Sequence, residues 1–230
     1  MKPALLFCAL LAGCAPFGLG GEVDGTDVSM DDVTYVEVRG VDPGNAIEFH
    51  DIQLWLMPMD NACVTFPELL AELAALRERV GFGIDSTEYC DQWEAIWDSY
   101  GLLRPFQVGH VRMKALPRAE GEGVTTDYAF HDDFQAAQAE GPNFDLDLAL
   151  YPTPDFAACA QEFEGSTTYA PTLRASTGGD AAVTGYREDE SITTRLDPAV
   201  EGASDPLSGR STADFCIGAV DWPLVFGLGT

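Results

Sequence analysis

Two carboxylates two positions apart, three histidines, a tryptophan pair and six cysteines are the side chains of this 230-residue chain whose types and spacing could do chemistry. Asp145 and Asp147 lie on one face of an expected strand, because side chains alternate with a period of two. Paired carboxylates can hold calcium or serve a hydrolase, so they are the candidate metal ligands; the reading preferred over that is a solvated strand face. His50, His110 and His131 would ligate zinc or act as acid–base groups if the fold joined them, and two have acidic neighbours, Asp51 and Asp132-Asp133. Their scatter favours three separate histidines. Trp93 and Trp97, four residues apart on a helix, could stack on a sugar or a proline, but core packing is the simpler expectation. No HExxH, GxSxG, P-loop or complete GxGxxG occurs. Gly81-Phe82-Gly83 reads as a helix-ending turn, and no catalytic residue is assigned.

The first cysteines belong to an address. Lys2 precedes the apolar run Ala4 to Leu11, which is shorter than the roughly 20 residues that span a bilayer and has the flanks of a secretory signal. It ends in Leu11-Ala12-Gly13-Cys14, which resembles the lipobox of bacterial lipoproteins. The resemblance covers only the first 14 residues. It implies cleavage after residue 13, diacylglyceryl on the Cys14 sulfur and anchoring in the cell envelope. A residue other than Asp at Ala15 implies the outer membrane. Two acyl chains hold a protein firmly where one does not.

Cys63, Cys90, Cys159 and Cys216 remain, an even number in an exported chain, so two disulfides are expected. Three connectivities exist. The local one, Cys63–Cys90 with Cys159–Cys216, is the first choice. It needs the loop between two helices to run back along the first, since helix rise otherwise separates Cys63 from Cys90 by on the order of 20 Å.

The charge is unusual: 12 basic against 38 acidic residues, net −26. Lys114 is the only lysine beyond Lys2, and no basic cluster exists. That argues against nucleic acid, whose binding runs on Lys/Arg clusters, and against electrostatic docking on anionic lipid. Solubility accounts for the acidity; cation binding is the sharper alternative.

The elements that must position these residues read as follows. Residues 14–32, rich in Gly and Asp, are expected to be a flexible, solvated tether on the lipid; within it Asp24-Gly25-Thr26-Asp27 lacks the ligand spacing of a calcium loop. Residues 33–230 form a single β-rich domain. Thr34–Arg39 and Ala46–Met57 are strands of a hairpin turned by Asp42-Pro43-Gly44-Asn45. A helix follows with a Thr65/Glu68 capping box and the stripe Phe66, Leu69, Leu70, Leu73, Leu76, Val80. A second helix starts at Asp85 or Ser86 and ends at Gly101. Strands are expected over Phe106–Leu116, Phe144–Tyr151, Ser191–Leu196 and Thr212–Val220, a hairpin around Gly178-Gly179-Asp180, and a short helix over Pro154–Phe163 capped by Thr153. The fold class is mainly β, a sandwich or barrel-like set of antiparallel sheets, with an inserted two-helix segment at about 65–100 and α+β character overall.

The functional expectation is a membrane-anchored envelope lipoprotein, a non-enzymatic binding or structural module without a cofactor. Its partners would be the membrane, through the lipid, and a protein or envelope component. A calcium-dependent adhesion or binding protein is the alternative, and an exported hydrolase the third.

Overall fold

The computed structural model describes residues 18–30, 32–41, 48–114, 121–131, 141–164 and 169–222. The signal segment, Cys14 and Asp132-Asp133 lie outside them. In chain order the elements are β1 (Gly18–Val23), β2 (Thr26–Met30), β3 (Asp32–Val41), β4 (Glu48–Met57), α1 (Ala62–Glu78), α2 (Ser86–Ser99), β5 (Phe106–Lys114), β6 (Gly121–Phe130), β7 (Asn143–Tyr151), α3 (Phe156–Phe163), β8 (Thr172–Arg187), β9 (Ser191–Val200) and β10 (Ser208–Phe215). Short 3₁₀ turns follow α1 and β10.

The strands pair in the order β2-β1-β10-β3-β4-β5-β7-β6-β8-β9, and β9 returns to pair with β10. Strands β3 to β10 therefore close a barrel, and β1–β2 attach to β10 as an extra hairpin. Most pairings are antiparallel; β10–β3 and β6–β7 are short parallel contacts. The seams are short: β10 meets β3 only at Thr34 and Tyr35, and β6 meets β7 only at Ala129 and Phe130.

Alternation along the strands builds two cores. Val33, Tyr35, Ile52, Leu54, Leu56, Val111, Met113, Phe144, Leu146, Leu148, Val183 and Ile192 fill the barrel. The opposite face of β3, β4, β5 and β7 is also apolar, through Val36, Trp55, Met57, Phe106, Val108 and Ala149, and α1, α2 and α3 cover it. The helices are a layer on one wall of the barrel. α1 and α2 run antiparallel: Arg79 at the end of α1 meets Glu88 and Gln92 on α2, and the Tyr100 hydroxyl donates to Glu72.

Several sequence expectations change. The stretch expected to be a tether is folded from residue 18. Asp24 and Gly25 both take positive φ, 51° and 75°, the geometry of a two-residue hairpin turn. Leu19, Val23, Val28 and Met30 are buried in the barrel core. Gly109 on β5 lets Leu56 and Met30 pack close to the backbone, since a Cβ there would stand 3.0 Å from Leu56 Cδ1 and 3.4 Å from the Met30 methyl. The Asp24 carboxylate accepts from Arg174 Nε at 2.7 Å.

The hairpin expected at Gly178-Gly179-Asp180 is instead one long strand, β8, which pairs with β9 from Ser176 to Arg187 and, on its other side, with β7 and then β6. The glycines serve a bulge: the register shifts between Ser176 and Gly178. Gly179 has φ 103°, and a Cβ there would lie 2.3 Å from the Asp197 carbonyl. The tight turn lies in the charged loop, where Asp189 has φ 54°.

α1 starts a turn before its expected capping box. Its N-cap is Asn61, without a side-chain cap, and Asp32 Oδ2 from β3 accepts the Ala62 N–H at 2.7 Å. Thr65 Oγ1 donates to the Asp60 and Asn61 carbonyls instead. α2 begins as expected, with Asp85 Oδ1 accepting the Glu88 N–H at 2.9 Å. α3 is capped by Asp155, not Thr153.

Two disulfides form, as expected, but not in the local pairing. Cys63 bonds Cys216, with Cα atoms 5.7 Å apart, and Cys90 bonds Cys159, at 5.6 Å. The helix pair is a plain antiparallel hairpin, so its rise separates Cys63 from Cys90. Each cysteine instead reaches a different element: α1 is clamped to the end of β10, and α2 to α3.

Candidate binding site

The two faces of β5 open into two adjoining hollows. Phe106 and Val108 point to the helix layer, while Gln107 points the other way, as successive strand residues must. Beneath the helices Phe106 and Val108 form one wall of a cavity of about 160 Å³. Phe66, Leu69, Leu70 and Leu73 of α1 line the facing wall, with Trp97 and Tyr151 at the sides. Such a stripe on α1 normally seals against its support; here it stops short and leaves a chamber. An apolar cavity of this size is large enough to hold a benzene-sized molecule.

Around the chamber the aromatic rings brace one another. Phe106 stacks on Tyr151 at 4.7 Å, Trp97 lies 5.6 Å from Phe106 and 5.7 Å from Trp93, and Tyr169 contacts Trp93, Trp97 and Tyr151. The Tyr169 hydroxyl donates to the Pro152 carbonyl at 2.6 Å. The tryptophan pair is thus core packing, as expected, and Trp97 also lines the chamber.

The second hollow is a polar cleft of about 320 Å³, and it shares Met57, Pro58, Met59 and Phe106 with the chamber. Asp27 and Ser29 of β2, Asp32 of β3, Asp60, Arg104 and Gln107 supply its polar lining. Asp32 is engaged with the start of α1. Among the described residues the side chains of Asp27, Asp60, Arg104 and Gln107 make no hydrogen bond or ion pair, although Gln107 is only 7% exposed. Sequence reasoning missed this cleft because its members come from β2, a strand taken for tether, and from loops with no spacing pattern.

The sequence-level candidates lie elsewhere and do not converge. Asp145 and Asp147 share the outer face of β7, but Arg112 of β5 lies against both. Its Nε is 2.9 Å from Asp145 Oδ1, one Nη bonds Asp145 Oδ2, and the same Nη is 3.3 Å from Asp147. A guanidinium takes the place a calcium ion would need. Burial raises both carboxyls above the ordinary carboxylate range.

His110 is buried on β5, its ring stacked on Trp55 at 4.2 Å, with Nε2 3.2 Å from Gln53 Oε1. Burial, and then the Arg112 charge, lowers its pKa to about 3. It is a neutral packing group at physiological pH. His50 lies on β4 and His131 follows β6. Among the described residues no group of three or more His, Cys, Asp or Glu side chains is placed to hold a metal.

A further buried carboxylate was not anticipated. Glu37 of β3 has a side chain 2% exposed. It accepts from the Tyr186 hydroxyl at 2.6 Å and from Arg39 at 3.1 Å. Burial and this bond push the Tyr186 phenol well above its usual range. It reads as a polar plug in the barrel, satisfied and not part of the cleft lining.

Among the described residues no helix is long and apolar enough to cross a membrane. No protein-family model, no curated protein and no solved structure matches this chain.

Proposed function

We propose that the chain is an exported lipoprotein, anchored in the bacterial outer membrane through Cys14, whose barrel domain is a non-enzymatic binding module with its site beneath the helix pair. The observation that carries the binding reading is the chamber and cleft at the start of β5. An apolar hollow beside convergent polar groups is the usual form of a small-molecule site. Both disulfides clamp the helix layer that roofs the chamber, which favours a site formed before the ligand arrives and so lowers the ordering cost of binding. They also suit the oxidising compartment that the lipobox implies. The hydrolase reading gains nothing from the fold, since the ionisable side chains of the cleft are not hydrogen-bonded into a nucleophile–base pair. The calcium reading loses its best candidates to Arg112.

Two arms test this. Labelled palmitate should enter the wild-type chain and not Cys14→Ser, which should accumulate as unprocessed precursor; label retained by the variant refutes the anchor. Leu69→Trp, which fills the chamber, should abolish any rise in melting temperature caused by apolar small molecules. A rise unchanged in that variant refutes the site.

A further inference from the structure

The polar groups of the cleft carry charges of both signs and an amide; Asp32 is engaged with the start of α1, but the side chains of Asp27, Asp60, Arg104 and Gln107 make no hydrogen bond or ion pair among the described residues. Asp27 and Asp60 present carboxylates, and Arg104 presents a guanidinium. Gln107 is a stronger indication. As a residue it is only 7% exposed and lines the cleft, and among the described residues its side chain makes no hydrogen bond within the protein, so its amide is left to whatever fills the cleft. A largely enclosed amide normally finds a protein partner; this one is open only toward the cleft. The apolar chamber adjoins the cleft, and Met57, Pro58, Met59 and Phe106 line both. Met59 is the adaptable part of that shared lining, being unbranched with three rotatable bonds.

A ligand that satisfies all of this needs an ammonium, a carboxylate and a compact hydrocarbon group next to them. We propose that the site binds a free apolar α-amino acid. Its isobutyl or benzyl side chain occupies the chamber and its ammonium faces Asp27 and Asp60. Its carboxylate meets Arg104, with the Gln107 amide completing the hydrogen bonding. Arg104 suits that role because its planar fork matches a carboxylate in two-point contact. The strongly acidic surface opposes simple anions and makes a lone carboxylate a poor ligand, whereas a zwitterion carries no net charge to repel. This inference rests on the binding-module reading and specifies its ligand.

The test is isothermal titration of the mature disulfide-bonded domain at matched ionic strength with L-leucine, L-phenylalanine, 3-methylbutylamine, 4-methylpentanoate and 3-methylbutan-1-ol. Leucine or phenylalanine should bind at least about tenfold more tightly than the amine, the acid or the alcohol, since each analogue leaves a polar group of the cleft unpaired. Arg104→Gln should remove the preference for leucine over the amine. Asp27→Asn with Asp60→Asn should remove the preference over the acid. Both variants alter exposed side chains, and their far-ultraviolet spectra and melting curves should match the wild type. Equal binding of leucine and the alcohol, abolished by Leu69→Trp, would overturn the amino-acid assignment and leave the chamber as a binding site. No saturable binding by any probe at about ten millimolar would overturn both. Palmitate labelling of Cys14 would be unaffected in either case, so the anchor stands or falls separately.

Discussion

His110 makes the stability of this domain depend on pH in a way that can be worked out from its surroundings. The ring is 1% exposed, stacked on Trp55 and bonded at Nε2 to Gln53, while its Nδ1 has no hydrogen-bond partner. Arg112 stands two residues along β5, and the register partner of His110 on β7 is Asp147. The folded pKa is about 3 against 6.5 for the free side chain. Between those values the unfolded chain binds a proton that the native state refuses, so stability falls as pH falls through the window. The slope is about 1.4 kcal/mol per pH unit. Lowering pH from about 6.5 to about 4.5 should therefore remove about 2.3 kcal/mol through this residue alone, because the full slope is reached only below the unfolded pKa. Asp145 and Asp147 act with the opposite sign. Their folded pKa values are raised by burial, so above the ordinary carboxylate value the native state holds more protons, and acidification through that range adds stability. The rest of the acidic surface changes its repulsion equally with or without the histidine. His110→Gln isolates the effect, since the amide keeps a polar group near Gln53 and cannot charge. Urea unfolding of both proteins from about pH 7 to about pH 4.5 should show the wild type losing about 2–3 kcal/mol more than the variant. Parallel stability curves would refute the reasoning.

The other predictions concern how the fold is held. Met30→Ala should cost about 2–5 kcal/mol in urea unfolding, the range for truncating a fully buried side chain, because β2 is part of the barrel core; a neutral result would restore the tether. Gly179→Ala should lower the melting temperature by several degrees, since it strains a positive φ and drives a Cβ against the Asp197 carbonyl; an unchanged melting temperature would mean that the bulge is not required. Replacing Cys90 and Cys159 together by alanine should cost about 4 kcal/mol on the loop-entropy model, given their separation of 69 residues. Non-reducing peptide mapping should find Cys90 joined to Cys159. Arg112→Met should cost on the order of 3 kcal/mol by leaving two half-buried carboxylates facing each other, and adding Asp145→Asn should recover part of that loss.

The parts of the fold that were legible in the sequence are those whose signals are local. The strands from Thr34 and from Phe106, the Asp85 cap, the Gly101 stop and the apolar stripe of α1 follow from periodicity and capping chemistry. What failed did so for identifiable physical reasons. The β1–β2 hairpin carried a usable sign in the Asp24-Gly25 dipeptide between the alternating pairs Leu19/Val23 and Val28/Met30, but the surrounding glycines and acids outweighed it. At Gly178-Gly179 two glycines answer equally to a turn and to a bulge, and only the close approach of Asp197 decides between them. The disulfide pairing depends on which elements the helices pack against. The pairing of Arg112 with Asp145 is a cross-strand register, which no spacing along one strand reveals. The cleft is the extreme case: β2, β3 and the loop before β5 meet there only once the barrel has closed, and the burial of Gln107 belongs to the tertiary structure alone.

One mass-spectrometric experiment checks at once the proposed lipid anchor and the clamping of the helix layer over the chamber. The protein would be purified from the membrane fraction of its bacterial host without reductant and digested. The account predicts an N-terminal peptide that starts at Cys14 and carries a diacylglyceryl group, together with the linked peptides Cys63–Cys216 and Cys90–Cys159. An unmodified Cys14 in a chain that still begins at Met1, with free thiols at the other four positions, would contradict it.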